Sequence, residues 1–308
     1  MLGGGQLGRM FTLAAHSMGY CVWVLDPDPH SPAGTIADQH LCADYRDQKA
    51  LQRLAEHCAA ITTEFENVPA ESLALLESKI RVRPCAANVA IARDRIAEKT
   101  FIRDHGLATA PFFVIHKTAD LEAACKALAM PALLKTAQLG YDGKGQVPVS
   151  SLSEAHSGFK HLQETACVLE ERVDLKLELS VILARNDEGE TLFYPPGLNV
   201  HKNGILHTTA VPANIPDALA EQAINMAGKL ADALEYCGVL AIEFFLTQDD
   251  ELLINEMAPR PHNSGHYTLD ACLTSQFEQQ VRMLCGLSPG NTKLHSPVVM
   301  VNLLGDIW

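Results

Sequence analysis

Residues 239–266 read VLAIEFFLTQDDELLINEMAPRPHNSGH. The run Val239–Leu246 is apolar except for Glu243, and a second strand opens at Ile254 before a polar tail. Between them, Thr247–Glu251 reads as a hairpin connection. An ionised carboxylate inside a buried strand is costly unless it is paired or holds a metal. Pairing the two strands would bring Glu243 near Glu256, with Asn255 beside them. Such an oxygen-rich set suits magnesium, which takes oxygen ligands and usually shares them with substrate phosphates. The plainer alternatives are a salt-bridge partner for Glu243 and, for Arg260, His262, Asn263 and His266, a charged loop leaving a strand at the surface.

Upstream, a helix from about Pro216 to Leu234 carries an apolar face. In Leu177–Arg185, Glu178, Ser180 and Ile182 alternate with Leu179, Val181 and Leu183, the period of a half-buried strand. Before it lies Cys167–Val173, and before that Ala132–Thr136, the loop Gly140-Tyr-Asp-Gly-Lys-Gly145 and Gln146–Val149. A strand, a glycine-rich loop and a returning strand make a flap whose amides can fold over phosphates, with Lys135 and Lys144 adding charge.

At the start of the chain, Gly3–Gly8 contains G-x-G-x-x-G and runs into a helical pattern stopped by Gly19, followed by the buried strand Cys21–Leu25. Glycine amides and a helix start offer an anion site. Ala59–Thr63 is a further strand, with Glu64 and Glu66 at its carboxyl end, where a solvated loop is the plainer reading. Strands alternating with helices indicate a parallel sheet with ligands beyond the carboxyl ends of its strands. Only Met1 and Leu2 precede the first glycine, so a gap is expected at the centre of that sheet. The fold class is therefore α/β and α+β, in three parts: a Rossmann-like unit over 1–87, linker helices and a flap over 88–166, and a mixed or antiparallel unit over 167–308.

A chain of 308 residues has room for two or three cores, and 47% hydrophobic with 20% charged residues places it among globular proteins. A formal net charge of −13 argues against nucleic acid or an anionic membrane as partner. No apolar run approaches the length of a membrane span, and the interrupted N-terminus does not read as a signal peptide. The 9 scattered cysteines include no Cys-x-x-Cys pair, which suits a reducing cytoplasm and makes a zinc or redox site unexpected.

Taken together, the glycine flap, the two strand carboxylates and the PRPHNSGH tail resemble the ATP-grasp ligases. Within them the chain is similar to the family that carboxylates aminoimidazole ribonucleotide in purine biosynthesis. The resemblance runs nearly end to end, through GGGQLGRM, VWVLDPDPHSPA, TTEFENVP, GYDGKGQ, LELSVILAR, NVHKNGIL and NEMAPRPHNSGH. It implies ATP and Mg2+, with Glu243 and Glu256 as metal ligands and Asn255 beside them. Arg95, Lys135 and the flap residues Gly140, Tyr141, Asp142, Gly143, Lys144, Gly145 and Gln146 would hold the phosphates. Glu170, Glu171, Arg172 and Val173 would read adenine through backbone groups, Glu178 would bind the ribose, and His201 would lie near the nucleotide. Gly5, Gln6 and Leu7 would receive the ribonucleotide, whose phosphate is served by the helix start, with Glu64, Glu66 and Tyr141 facing the same substrate. Arg260, His262 and Asn263 would form the pocket for bicarbonate and the aminoimidazole.

Three departures accompany the resemblance: the short first strand, Leu139 where the family's flap often has glycine, and an end at Trp308 before a closing region whose basic residues serve the substrate phosphate. A homodimer is expected by analogy with enzymes of this kind. Two other activities fit the residues: an NAD(P)-dependent oxidoreductase using G-x-G-x-x-G with Asp26 on the ribose, and an ATP-grasp ligase with a different acceptor. A nucleotide-binding remnant without turnover is the third alternative.

Overall fold

The computed structural model describes residues 1–138, 140 and 145–305. Its N-terminal part is a small parallel sheet. Trp23–Leu25 pairs with Gln39–Leu41, and Ala60–Ile61 pairs with Arg81–Val82, both parallel. The expected central gap is closed by Leu2, which bridges Leu25 on one side and Thr63 on the other. Leu2 N–H donates to Thr62 O at 2.9 Å and its carbonyl accepts from Glu64 N at 3.1 Å, while on the other side Met1 O accepts from Leu25 N at 2.9 Å and Gly3 N donates to Leu25 O at 3.0 Å, so three residues do the work of a strand. It is fully buried in a core with Leu25, Leu51, Leu54, Ile61 and Leu73.

The helix Gln6–Ser17 follows the glycines, and Phe11 and Ala15 on its inner face pack against Phe277 and Val281 of the helix Gln276–Cys285. That contact ties the first part of the chain to the last.

The middle sheet is antiparallel in the order Phe112–Ile115, Cys167–Glu171, Ala132–Thr136, Gln146–Val149. Its apolar face packs on the helices Asp120–Ala127 and Leu152–His161. Cys167–Glu171, expected to open the third unit, is instead an inner strand here. Paired on both edges, it cannot be separated from this sheet without breaking two ladders.

The last part is a seven-stranded antiparallel sheet built around Leu175–Arg185 and Gly238–Thr247. One face is covered by the helix Asp217–Ala233 through Ala223, Ala227, Leu230 and Ala231. Ala223, Ala227 and Ala231 repeat at about one helical turn, and their small side chains let the helix sit close on the sheet. Among the described residues no helix is long and apolar enough to cross a membrane.

Candidate active site

A cavity of ≈ 1230 Å³ opens between the three parts, and the paired carboxylates stand in its wall. Glu243 lies directly opposite Glu256 in antiparallel register, so the two side chains share one face. The register shifts after Glu243, with Phe244 opposite Ile254, which makes Asn255 the extra residue of a bulge. In a regular pleat Asn255 and Glu256 would point to opposite faces; the bulge lets both line the cavity.

Burial pushes the Glu243 carboxyl up to about 8, and the facing Glu256 adds to the shift. Two facing carboxylates in a partly buried wall are relieved by a cation, and their oxygens fit a hard divalent ion. Among the described residues no cluster of three or more His, Cys, Asp or Glu forms a complete cage. The remaining ligands would have to be substrate oxygens and water, as is usual for magnesium. Arg95 Nη1 stands 3.6 Å from Glu256 and His262 Nε2 stands 3.4 Å from Glu243.

Arg95 opens a helix that Asp94 caps by accepting the Ile96 and Ala97 N–H groups. Lys135 is next to last in the strand Ala132–Thr136, with its ammonium 2.8 Å from Glu170 Oε1. Gly140, Gly145 and Gln146 line the cavity as well. Gly145 has φ +72°, and a Cβ there would meet Thr136 Oγ1 at 2.6 Å, so the returning flap strand needs glycine at this position. Tyr141, Asp142, Gly143 and Lys144 lie outside the described residues, as does Leu139.

Beyond Glu171 the chain leaves the middle sheet. The Glu171 and Arg172 N–H groups are already bound to the Pro111 and Pro131 carbonyls, leaving Val173 as the amide able to meet a base edge. The side chain of Glu171 accepts from Ala129 N at 2.6 Å. Glu178 makes a close ion-pair contact with the His201 imidazole, and that carboxylate raises the His201 pKa. A ribose would therefore share Glu178 with His201.

The glycine loop differs from its expected use. Glu64 turns inward and accepts from the Gly5 and Gly8 N–H groups, the latter at 2.6 Å. Asp26 accepts from Gly4 N and from the Tyr45 hydroxyl, each at 2.7 Å. A Cβ on Gly3, Gly5 or Gly8 would come within 3 Å of Glu64. The glycines thus make room for a carboxylate of the same chain, and neither Gly5 nor Glu64 lines the cavity. Gln6 and Leu7 at the helix start do so, together with Glu66 and Asn67. A dinucleotide pyrophosphate would need the amides that Glu64 holds, and its ribose would need Asp26, so the oxidoreductase reading loses both contacts.

In the polar tail, Arg260 Nε donates to Glu66 Oε2 at 2.7 Å and Nη1 donates to Pro261 O at 3.1 Å. The far edge of the guanidinium is left for a planar anion. Burial alone would raise the Glu66 carboxyl, but Arg260 holds it below the usual range. Burial, aided by Arg260, pushes His262 down to about 3. His262, Asn263 and His266 also line the cavity.

Three supporting groups carry no sequence signal. Gln276, fully buried, accepts from His262 N at 2.9 Å and donates to His262 O at 2.8 Å, clamping the loop as a strand would. Glu98, on the Arg95 helix, accepts from Met257 N at 2.6 Å, and burial, reinforced by Glu256, pushes it up to about 8. Lys99 lies wholly buried against Glu170. Each is recruited from a segment distant in sequence from the group it holds, and nothing local distinguishes it from an ordinary helical residue.

The chain matches two family descriptions, a ribonucleotide synthetase preATP-grasp domain over residues 1–93 and an ATP-grasp domain over residues 100–277. It is 44% identical over 306 residues to N5-carboxyaminoimidazole ribonucleotide synthase of Bacillus subtilis, covering 99% of this chain and 80% of that protein. The solved Staphylococcus aureus N5-carboxyaminoimidazole synthetase complexed with ADP superposes with a TM-score of 0.94 at 38% identity, over 99% of this chain and 81% of that one. The Aspergillus clavatus enzyme in complex with ADP and 5-aminoimidazole ribonucleotide gives 0.91 at 30% identity, over 99% and 81%. With the facing carboxylates, the flap strands and the HNSGH loop gathered around one cavity, the chain belongs to the N5-carboxyaminoimidazole ribonucleotide synthase family of ATP-grasp enzymes.

Proposed function

We propose that this chain uses ATP and bicarbonate to carboxylate the exocyclic amine of 5-aminoimidazole ribonucleotide, releasing ADP and phosphate. The observation that carries this reading is the Glu243–Glu256 register, which sets two carboxylates face to face in the cavity that the flap strands and the HNSGH loop also enter.

Adenine sits at Val173, the ribose against Glu178 and His201, and the polyphosphate against Arg95, Lys135 and the flap. Glu243 and Glu256 would hold magnesium, which when bound draws charge from the phosphoryl oxygens. The Arg260 guanidinium grips bicarbonate through parallel N–H groups while Glu66 fixes its plane. A bicarbonate oxygen takes the terminal phosphoryl group, giving carboxyphosphate and ADP. The aminoimidazole amine then attacks the carboxyl carbon, or carbon dioxide released from it. A C–N bond forms, phosphate departs and the amine loses a proton. The departing phosphate takes that proton, and His262, neutral because of its burial, leaves the anion to the charge of Arg260. Excluding water protects the short-lived carboxyphosphate, which gives the flap a reason to close.

The ribonucleotide phosphate takes the Gln6 and Leu7 amides at the helix start. In working terms, 1–87 holds the ribonucleotide, 88–166 with the adjoining strand to Glu171 forms the lid, and the rest of 167–308 carries the metal and bicarbonate groups. We place the protein in the cytoplasm, as a homodimer.

The test is phosphate release with ATP and magnesium while bicarbonate and aminoimidazole ribonucleotide are omitted in turn. Release should depend on the ribonucleotide; equal release with formate or D-alanine rejects the assignment, and ATP binding without turnover favours a remnant.

A further inference from the structure

Glu170 holds two lysines at once. Lys135 Nζ is 2.8 Å from Oε1, and Lys99 Nζ is 2.8 Å from Oε2, a close ion pair whose angle falls short of a directed hydrogen bond. The Lys99 side chain is 0% exposed, donates to Thr109 Oγ1 at 3.1 Å and does not reach the cavity. Lys135 does reach it. A buried cation needs a partner, so Lys135 needs Glu170. With one carboxylate alone, however, the pair would be neutral, and Glu170 would compete with phosphate for the same ammonium.

We propose that Lys99 is a positioning residue for the nucleotide: by satisfying Glu170 from behind, it leaves the charge of Lys135 to the polyphosphate. The proposal rests on the ATP reading above. Two lysines and one carboxylate sum to a single positive charge, and only Lys135 can present it to the cavity. Burial would raise the Glu170 carboxyl, yet the two ammonium groups hold it down at about 2, so it stays ionised between them. Glu170 also sits at the end of the strand that leads to the adenine hinge. One carboxylate therefore links the group that meets the phosphates to the segment that meets the base.

Calorimetric titration of the full chain with magnesium-ATP and with adenosine tests this, because adenosine feels the hinge but not the lysine. In Lys99→Met, ATP affinity should fall about tenfold or more, as expected for losing one unit of charge near the phosphates at an effective dielectric of about 20. Adenosine affinity should stay within about twofold of wild type, since the neutral ligand has no Coulomb stake in the site. Equal losses for both ligands, or no loss for ATP, overturn the proposal.

The variant Lys99→Met with Glu170→Gln removes both partners, leaves no uncancelled carboxylate, and decides the matter alone if the single variant does not fold. Its preference for ATP over adenosine should match or exceed that of wild type; a preference still depressed about tenfold, the size the lost charge predicts, overturns the charge-balance account. A wild-type chain that takes up neither ligand sinks the nucleotide reading itself.

Discussion

Replacing Gly8 by alanine separates two explanations of the glycine loop. Gly8 is the third residue of the helix Gln6–Ser17. By helix propensity alone, Gly→Ala inside a helix stabilises by roughly 0.8–1 kcal/mol. If the glycines exist only to admit a bound phosphate, the ligand-free protein should therefore gain stability. The structure gives the opposite sign. An added Cβ would lie 2.9 Å from Glu64 Oε2, 3.0 Å from Gly3 O and 3.3 Å from Ala33 Cβ. Glu64 cannot move aside freely, because that oxygen accepts from Gly8 N at 2.6 Å and the other is bound to Gly5 N.

Overpacking of this kind costs about 1–3 kcal/mol, and weakening a hydrogen bond to a charged acceptor adds about 1.5–3 kcal/mol. After subtracting the helix gain, a net loss of about 1.5–5 kcal/mol remains. Urea unfolding of the ligand-free chain, followed by circular dichroism, measures it. In a Glu64→Ala background the same substitution should cost at least about 1 kcal/mol less, the coupling expected of groups in contact. A Gly8→Ala protein as stable as wild type, or a cost unchanged by removing Glu64, refutes the claim that Glu64 fills the loop.

Glu243→Gln removes one of the facing carboxylates and should lower turnover by more than about 100-fold, beyond the loss typical of a metal site's outer shell; magnesium should raise the melting temperature of wild type and not that of the variant, read by differential scanning fluorimetry. Arg260→Lys keeps the charge but loses the planar fork, so the bicarbonate KM should rise at least about tenfold with the ATP KM unchanged; equal changes in both would contradict the clamp. Burial holds the His266 imidazole down at about 4, below its usual 6.5. A depressed histidine contributes stability that is full above pH 6.5 and is lost as pH falls toward 4, on the order of 3 to 3.5 kcal/mol in all. His266→Asn should flatten that stretch of the stability–pH curve, and an unchanged slope in urea titrations at pH 6.5 and 4.5 would count against it.

Much of the site is legible in the linear chain where its chemistry is locally encoded. Glu243 is conspicuous because a carboxylate interrupts an apolar run, and the short hairpin makes Glu256 its partner. Lys135 is marked by the glycine-rich loop that follows its strand. Gly5 and Glu64 were expected beside the substrate, but motif spacing cannot tell whether amides face a ligand or a carboxylate delivered from 59 residues away. Gln276 and Lys99 are invisible for a related reason: each is an ordinary helical residue until folding sets it against His262 or Glu170.

Periodicity, turn chemistry and the cost of an unpaired buried charge act over neighbouring residues, so they suffice to write down the strands, the flap and the carboxylate hairpin of this ATP-grasp chain. Partner choice among buried polar groups depends on which segments meet in space. Only the packed protein therefore decides that Glu64 seals the glycine loop, that Met1, Leu2 and Gly3 complete the sheet, that the Asn255 bulge turns a third polar group into the cavity, and that one carboxylate is shared by two lysines.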